Sequence, residues 1–491
     1  MKGTRQSLLD QIMTWVTNES EQENVRQSNT YWIHGLPGIG KTTLAHSICA
    51  SLHDREQLAG AFFCRSNDPN LREPSNILPT LIYKLAIIFP SFRRIVARRL
   101  RNDPNLTPES MKDTLFLDCI GSLRCHPKHT LVFVLDALDE CGDTRSTRSP
   151  AILNVLTAAA TQAPWLKIII TSRHKPDIQR FLKTSIQYHL AIDEPALKIF
   201  AQDQFRSLAL TRGLSSPWPK ETLFNSIITR ANGLFVFIST LVLALEQCEE
   251  PEEFLKAILQ KSPGTSLESL HGLYSAILEA RIKQGDIADF RRMIGVLLTT
   301  APYRPLREET VADLAGLKPN LVKKWVDDLS SLLCRDEGVD GEIRVRHSSI
   351  SNFLVSDHCD YQVNLGDANM ELGNACLKTM LDQLCFDICK LEDSRLLNED
   401  VKDLPSRIKE NISDALQYSS RYWSNHLCFA ADHDKSCVLG SLEVFFGGLY
   451  PLFWIEVLSI MGITPIGAPS LRRVISWVKV STAPARHWFS F

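Results

Sequence analysis

Apolar residues in the first part of the chain fall into short runs rich in β-branched and aromatic side chains. Between them lie longer stretches in which apolar positions recur every three or four residues. The runs predict strands at 31–34, 59–64, 131–135, 167–171 and 186–190, and the stretches predict helices at 41–53, 76–89, 108–124 and 150–162. Run 131–135 is apolar at every position, as in a strand buried on both faces of a parallel sheet. The alternation predicts a doubly wound α/β domain over 31–192, preceded by an amphipathic helix and polar loop at 1–30. From Glu194 onward strand signals thin out, and helices are predicted at 196–211, 219–231, 234–248, 252–261 and 267–283, an all-α region over 193–284. Segment 285–357 reads as helices 287–299, 307–315 and 319–332 followed by a hairpin around Gly338 and Gly341. Segment 358–491 adds further helices, among them 369–390 and 404–428.

The strand–helix junction at 35–42 reads Gly35-Leu36-Pro37-Gly38-Ile39-Gly40-Lys41-Thr42, a complete GxxxxGK[ST] phosphate-binding loop. A strand before it and a helix after it are what the chemistry needs. The helix N-terminus adds its positive dipole end to a cradle of backbone N–H groups. Gly35, Pro37, Gly38 and Gly40 would shape the cradle and Lys41 would reach the β- and γ-phosphates. Thr42, followed by Thr43, would bring a hydroxyl to the magnesium ion. Asp136, ending the next apolar run, is placed to hold that ion. Asp139 and Glu140 follow where ligands of open α/β sheets sit, and one of them would orient or deprotonate the attacking water. Arg173, at the tip of run 167–171, would sense the γ-phosphate. Alone, the acidic turn also fits a solvated loop and Arg173 a surface arginine; their order behind a phosphate loop favours the site.

Composition changes the picture little. Hydrophobic residues make up 44% and charged residues 22%, which suits a globular chain of several domains. A net charge of −2 offers no broad basic field for nucleic acid. The 13 cysteines are an odd number without framework spacing. With no signal peptide at the start, they are expected to be reduced thiols of a cytoplasmic protein. Arg93, Arg94, Arg98, Arg99 and Arg101 form a basic stretch on a predicted helix, readable as a solvated face or as a contact for an acidic partner. His426, Cys428, His433 and Cys437 are metal-capable types at a spacing that matches no common zinc pattern. Cys385 and Cys389 would share one face of helix 369–390. The window 444–469 is apolar and long enough to cross a bilayer. Because Glu456, Gly447, Gly448 and Pro451 interrupt it, buried helices are expected instead of a span.

GLPGIGKTTLA at 35–45, LVFVLDALDEC at 131–141 and IIITSRHKPDI at 168–178 together resemble the NACHT family of signal-transducing NTPases, of the STAND class. The likeness is to the fungal branch related to the nephrocystin-like N-terminal domain, and it runs from near Gly3-Thr4-Arg5 to about residue 461. It implies a P-loop NTPase parallel sheet at 31–192, a helical domain at 193–284, a winged-helix domain at 285–357 and a C-terminal helical region at 358–491. It also implies ATP or ADP as ligand, with GTP open, and Mg2+. Phe235, in Asn232-Gly233-Leu234-Phe235, stands where many relatives carry a proline that touches adenine, so the base stays undetermined. His347 leads His347-Ser348-Ser349-Ile350-Ser351-Asn352-Phe353-Leu354 and matches the family histidine that contacts the β-phosphate of ADP and locks the closed state; it also fits a plain helix cap.

The resemblance thus implies a nucleotide-operated signalling switch, slow in hydrolysis, that self-associates in the triphosphate state. Its partners would be nucleotide, further copies and a full-length NACHT protein, with neither nucleic acid nor membrane. Relatives carry an effector domain before the NTPase and a repeat array after it. A shortened product, a truncated gene model and a regulator of a full-length partner all fit this sequence. A conventional P-loop kinase or motor, and a nucleotide-binding scaffold with little turnover, are the competing readings.

Overall fold

A computed structural model describes residues 5–17, 28–103, 115–123, 127–142, 148–214, 217–260, 264–336, 341–357, 359–391, 396–431 and 435–481. The chain divides into two units, Met1–Ala276 and Ile277–Phe491.

The first unit is built on β1 (Thr30–His34), β2 (Leu58–Phe63), β3 (Leu131–Asp136), β4 (Leu166–Ser172) and β5 (Ile186–His189). They form one sheet in the order β2-β3-β4-β1-β5, parallel at every pairing. Because β4 is inserted between β1 and β3, the tips of those three strands stand side by side. Alternation along each strand splits the core in two. Trp32, Phe133, Leu135, Ile168 and Ile170 face one side, and Tyr31, Ile33, Val132, Val134 and Ile169 face the other. Helices α1 (Gln6–Thr17) and α2 (Lys41–Asp54) cover the second face. The first face is covered by α3 (Ile77–Ile88), α4 (Pro90–Asn102), α5 (Asp118–Gly121) and α6 (Arg148–Gln162), with α7 (Pro176–Phe181) beside α6.

After β5 come α8 (Glu194–Arg212), α9 (Glu221–Ala231), α10 (Phe235–Glu246), α11 (Pro251–Gln260) and α12 (Ser266–Arg281), the last of which carries the chain across the division. The α/β architecture is that expected from the hydrophobic pattern. Two local readings change. Within the expected helix 108–124, the described part is helical, a π turn at 115–117 running into α5, while 108–114 lies outside the described residues. The short α7 was not legible as a separate helix, although it opens with Pro176, whose fixed φ suits a first turn.

Lys167 on β4 is 2% exposed, and its ammonium donates to the carbonyls of Trp15 and Val16 at the end of α1 while lying 4.7 Å from the Trp15 ring centre. Burial pushes this lysine down to about 8. A cation at a helix C-terminus satisfies carbonyls that lack intrahelical partners and complements the dipole.

In the second unit, α13 (Ile287–Thr300), α14 (Glu308–Ala315) and α15 (Pro319–Asp328) precede β6 (Leu333–Arg335) and β7 (Ile343–Val345), which pair antiparallel. Then follow α16 (Ser348–Leu354), α17 (Leu365–Gln383), α18 (Leu404–Asn411), α19 (Asp414–Phe429), α20 (Ser436–Gly447), α21 (Tyr450–Ile460) and α22 (Gly467–Ser481). The segment expected as one helix over 404–428 is two. Ile412 is extended and Ser413 caps α19, its Oγ accepting from Leu416 N–H at 3.0 Å. The helix expected over 369–390 stops at Gln383, with Asp387 and Lys390 at positive φ, so Cys385 and Cys389 share no helix face. Cys385 is exposed and Cys389 buried. Window 444–469 is broken after Gly447, with α20 and α21 meeting at 83°, and among the described residues no single helix is long and apolar enough to cross a membrane. Trp454 of α21 packs edge-on to Trp423 and donates from Nε1 to Ser420 O at 2.9 Å.

His426 is fully buried, its Nδ1 2.9 Å from Asn369 Oδ1 and its Nε2 2.7 Å from the Tyr418 hydroxyl. Asn369 Oδ1 can only accept, so Nδ1 carries the proton and Nε2 accepts from Tyr418. This satisfied neutral ring is a core residue, His433 lies outside the described residues, and no metal-capable cluster occurs among the described ones. Every described cysteine is a free thiol. Burial depresses His426 to about 3. The unfolded chain takes up a proton below about pH 6.5, while the folded chain resists until pH 3, so this stabilisation is complete above pH 6.5 and is lost as pH falls. Denaturant unfolding of the second unit should weaken by about 2 kcal/mol between pH 7 and 5. His426→Gln should flatten that profile, and an unchanged slope in the variant would refute the assignment.

Candidate functional site

The phosphate loop leaves β1 through a turn at Pro37 and Gly38 and enters α2 at Lys41. Gly38 and Gly40 have φ of 76° and 94°, which only glycine adopts at little cost. A Cβ at Gly38 would also collide with the Val236 side chain, while Val236 N–H donates to Gly38 O at 3.3 Å. Gly35 is equally confined, since a Cβ there would lie 3.0 Å from Leu190 O. Arg5 donates from Nη2 to Ile39 O at 2.9 Å and lies 5.5 Å from the ring centre of Phe235. The start of α10 and the arginine before α1 therefore brace the loop from outside. Lys41 donates to Gly35 O and Leu36 O at 2.9 and 2.7 Å, and desolvation lowers it to about 8 against the opposing pull of Asp139. Thr42 and Thr43 present exposed side chains in the first turn of α2.

Asp136 ends β3 at 1% exposure. Thr171 Oγ1 donates to its Oδ1 at 2.5 Å, and Thr42 is a second hydrogen-bond partner; burial raises the carboxyl's pKa against these two contacts. Its Oδ2 is buried without a partner. An orphaned carboxylate oxygen beside a threonine hydroxyl fits a hard divalent cation with oxygen ligands such as Mg2+. Ala137 follows at φ 52°, and its N–H donates to Thr171 Oγ1 at 2.9 Å. One threonine on β4 thus fixes both the carboxyl and the strained backbone after it.

Asp139 is taken up by Arg173. The backbone N–H of Arg173 donates to Oδ1 at 2.9 Å, and its Nε lies 3.2 Å from Oδ2. Glu140 is half-buried and accepts from Ser66 N–H at 3.3 Å. A carboxylate held on both oxygens by one arginine is less free to turn toward a water, so of the two acids Glu140 is better suited to orient it. His34, His174 and His189 gather at the same sheet edge, with His34 Nδ1 3.4 Å from His189 Nδ1; burial and the two other rings depress His34.

In the second unit His347 caps α16, its Nδ1 accepting from Ser349 N–H at 3.1 Å, which puts the proton of the neutral ring on Nε2. The structure brings Gly35, Pro37, Gly38, Gly40, Lys41, Thr42, Asp136, Asp139, Glu140 and Arg173 to one end of one sheet. Arg5, Ser66 and Thr171 were not anticipated as site residues. For Thr171 a signal existed: a threonine and a serine follow the isoleucine run of an inner strand, and both are fully buried.

Two outcomes follow from this geometry. Gly38→Ala should weaken nucleotide binding at least about tenfold, and adding Val236→Ala should restore only part, because it removes the collision and leaves the positive φ. Titration calorimetry checks both; an undiminished affinity for Gly38→Ala would contradict the bracing. Phosphates favour the ammonium form of Lys41, so binding takes up a proton. Affinity should be flat below about pH 8 and fall above it, and Lys41→Ala should abolish binding with the fold intact.

Residues 3–173 match the family model described as Nephrocystin 3, N-terminal. The vegetative incompatibility protein HET-E-1 of Podospora anserina is 24% identical over 513 aligned positions, covering 97% of this chain and 37% of that protein. This chain therefore spans little more than a third of that relative's length. Among solved structures, the Walker-type ATPase PABY2304 of Pyrococcus abyssi is 15% identical with a TM-score of 0.35, covering 71% of this chain and 95% of its own. Cdc6p of Pyrobaculum aerophilum is 14% identical with a TM-score of 0.34, covering 72% and 94%. With its phosphate loop and buried aspartate, the segment 3–173 is a nucleotide-binding P-loop NTPase domain, and it is similar to the family described as Nephrocystin 3, N-terminal.

Proposed function

We propose that the chain is a nucleotide-operated switch of the NACHT type, in which a nucleoside triphosphate, ATP or GTP, is bound with Mg2+, slowly hydrolysed, and used to control self-association. The observation that carries this reading is the pairing of Arg173 with Asp139 at 3.2 Å, together with Lys41 resting on its own loop's carbonyls. Both cations that a triphosphate would recruit are held by internal acceptors. Binding a γ-phosphate then exchanges one set of contacts for another, and that exchange is what shifts a population. Thr42 and Asp136 would hold Mg2+, which on binding neutralises charge between the β- and γ-phosphates. Glu140 orients the attacking water, Arg173 meets the γ-phosphate, and the loop from Gly35 to Thr43 carries the rest of the chain of phosphates. Segment 285–357, with α13 to α16 and the antiparallel pair β6–β7, is the winged-helix domain of that class. His347 offers Nε2–H to the β-phosphate of a diphosphate and so latches the closed form. The signalling role rests on the NACHT resemblance; the Podospora relative is named for vegetative incompatibility.

The test begins with purified protein, denatured and analysed for released nucleotide by chromatography. Stoichiometric ADP or GDP is the expected result and fixes the base. Absence of nucleotide, with no ATP or GTP binding, would refute the switch. His347→Ala should speed diphosphate release at least about tenfold, as a loss of ~1.4 kcal/mol or more implies; an unaltered off-rate removes the latch.

A further inference from the structure

Helix α4 carries Arg93, Arg94, Arg98, Arg99 and Arg101, all exposed, and no acidic residue. Phe92 and Val96 anchor it inward, so the arginines form its outer surface. Among the described residues its one ion pair is Arg99 with Asp118 at 3.6 Å. Such a field on a chain of net charge −2 calls for an anionic counterpart, and the same unit presents one. Glu246, Glu249, Glu250, Glu252 and Glu253 are exposed at the end of α10 and the start of α11. Within the cluster a hydrogen bond and charge repulsion from Glu253 raise Glu250. Two cations lie nearby. Lys256 is exposed on α11, and Arg212 is engaged by the carbonyls of Glu246 and Cys248 at 2.6 Å each.

The two clusters are tied to different ends of the fold. Helix α4 packs on α3, which flanks the edge strand β2, whereas α11 belongs to the helices that follow β5 at the other edge. No ion pair joins them among the described residues. We propose that the arginine face of α4 docks on the glutamate cluster at 246–253 of a second copy, giving a head-to-tail contact. A patch meeting a different patch on the next copy is heterologous, so it repeats into a ring or an open filament and does not stop at a dimer. Arginine suits this role because its planar fork engages carboxylates in pairs. The inference rests on the self-association part of the function proposed above and names the surfaces that carry it.

Sedimentation velocity of the full chain with Mg2+ and the non-hydrolysable imido analogues of ATP and GTP tests it. Arg94→Glu/Arg98→Glu/Arg101→Glu and Glu249→Lys/Glu250→Lys/Glu253→Lys should each weaken association at least about tenfold. Each should keep nucleotide binding, which shows that the unit is folded. Combining the two sets should restore association to within about threefold of the parent. Raising salt from about 50 to about 300 mM should weaken the parent contact. Association unchanged in either single set, or not restored in the combined chain, overturns the surfaces while leaving the switch intact. A parent chain monomeric with both analogues overturns the inference and self-association together.

Discussion

The carboxyl of Asp136 is the constraint around which the first unit is arranged. A carboxyl at the buried end of a sheet strand is costly to ionise unless its oxygens are satisfied. Thr171 and Thr42 share that task, and Oδ2 is left for a cation. Thr171 can do so only if β4 lies next to β3, and Thr42 only if the loop after β1 reaches over the same tip. The strand order β2-β3-β4-β1-β5 meets both conditions. One buried side chain thereby ties together the phosphate loop, the acidic turn and the strand that ends at Arg173.

Much of this was legible in the sequence, for reasons that differ from residue to residue. Strand β3 announces itself because both faces are buried and its first five positions are apolar, and β1 and β4 because each carries a run of three buried β-branched or aromatic residues. The phosphate loop announces itself because positive φ at Gly38 and Gly40 admits few substitutes. Arg5 and Ser66 were silent, because their roles come from contacts 34 and 74 residues away along the chain with no local pattern to mark them. The partner of Arg173 was silent for a related reason: Asp139 and Arg173 are both plausible phosphate-site residues, and only packing shows that each occupies the other.

The second unit shows the opposite balance. Its helix boundaries were misread at Gln383 and Ser413, where an extended Leu384 and a capping hydroxyl break a periodic pattern that apolar spacing alone would carry on. Its buried His426, with Tyr418 and Asn369, has the residue types of a metal site and the geometry of a closed hydrogen-bond network. Residue type alone could not separate the two, since burial decides and burial depends on α17 and α19 packing closely. Gly373 permits that approach, for a Cβ there would lie 2.6 Å from Leu427.

Lys167 gives the N-terminal helix a mechanical role. Its ammonium grips the last carbonyls of α1, and the strand that bears it runs on to Arg173, six residues or about 20 Å further. Extended backbone hydrogen-bonded on both sides is stiff along its length, so β4 acts as a tie rod between α1 and the phosphate end of the sheet. A pull on the C-terminal end of α1 is borne at Lys167 and passes along the strand, while its N-terminal end is tied to the phosphate loop through Arg5.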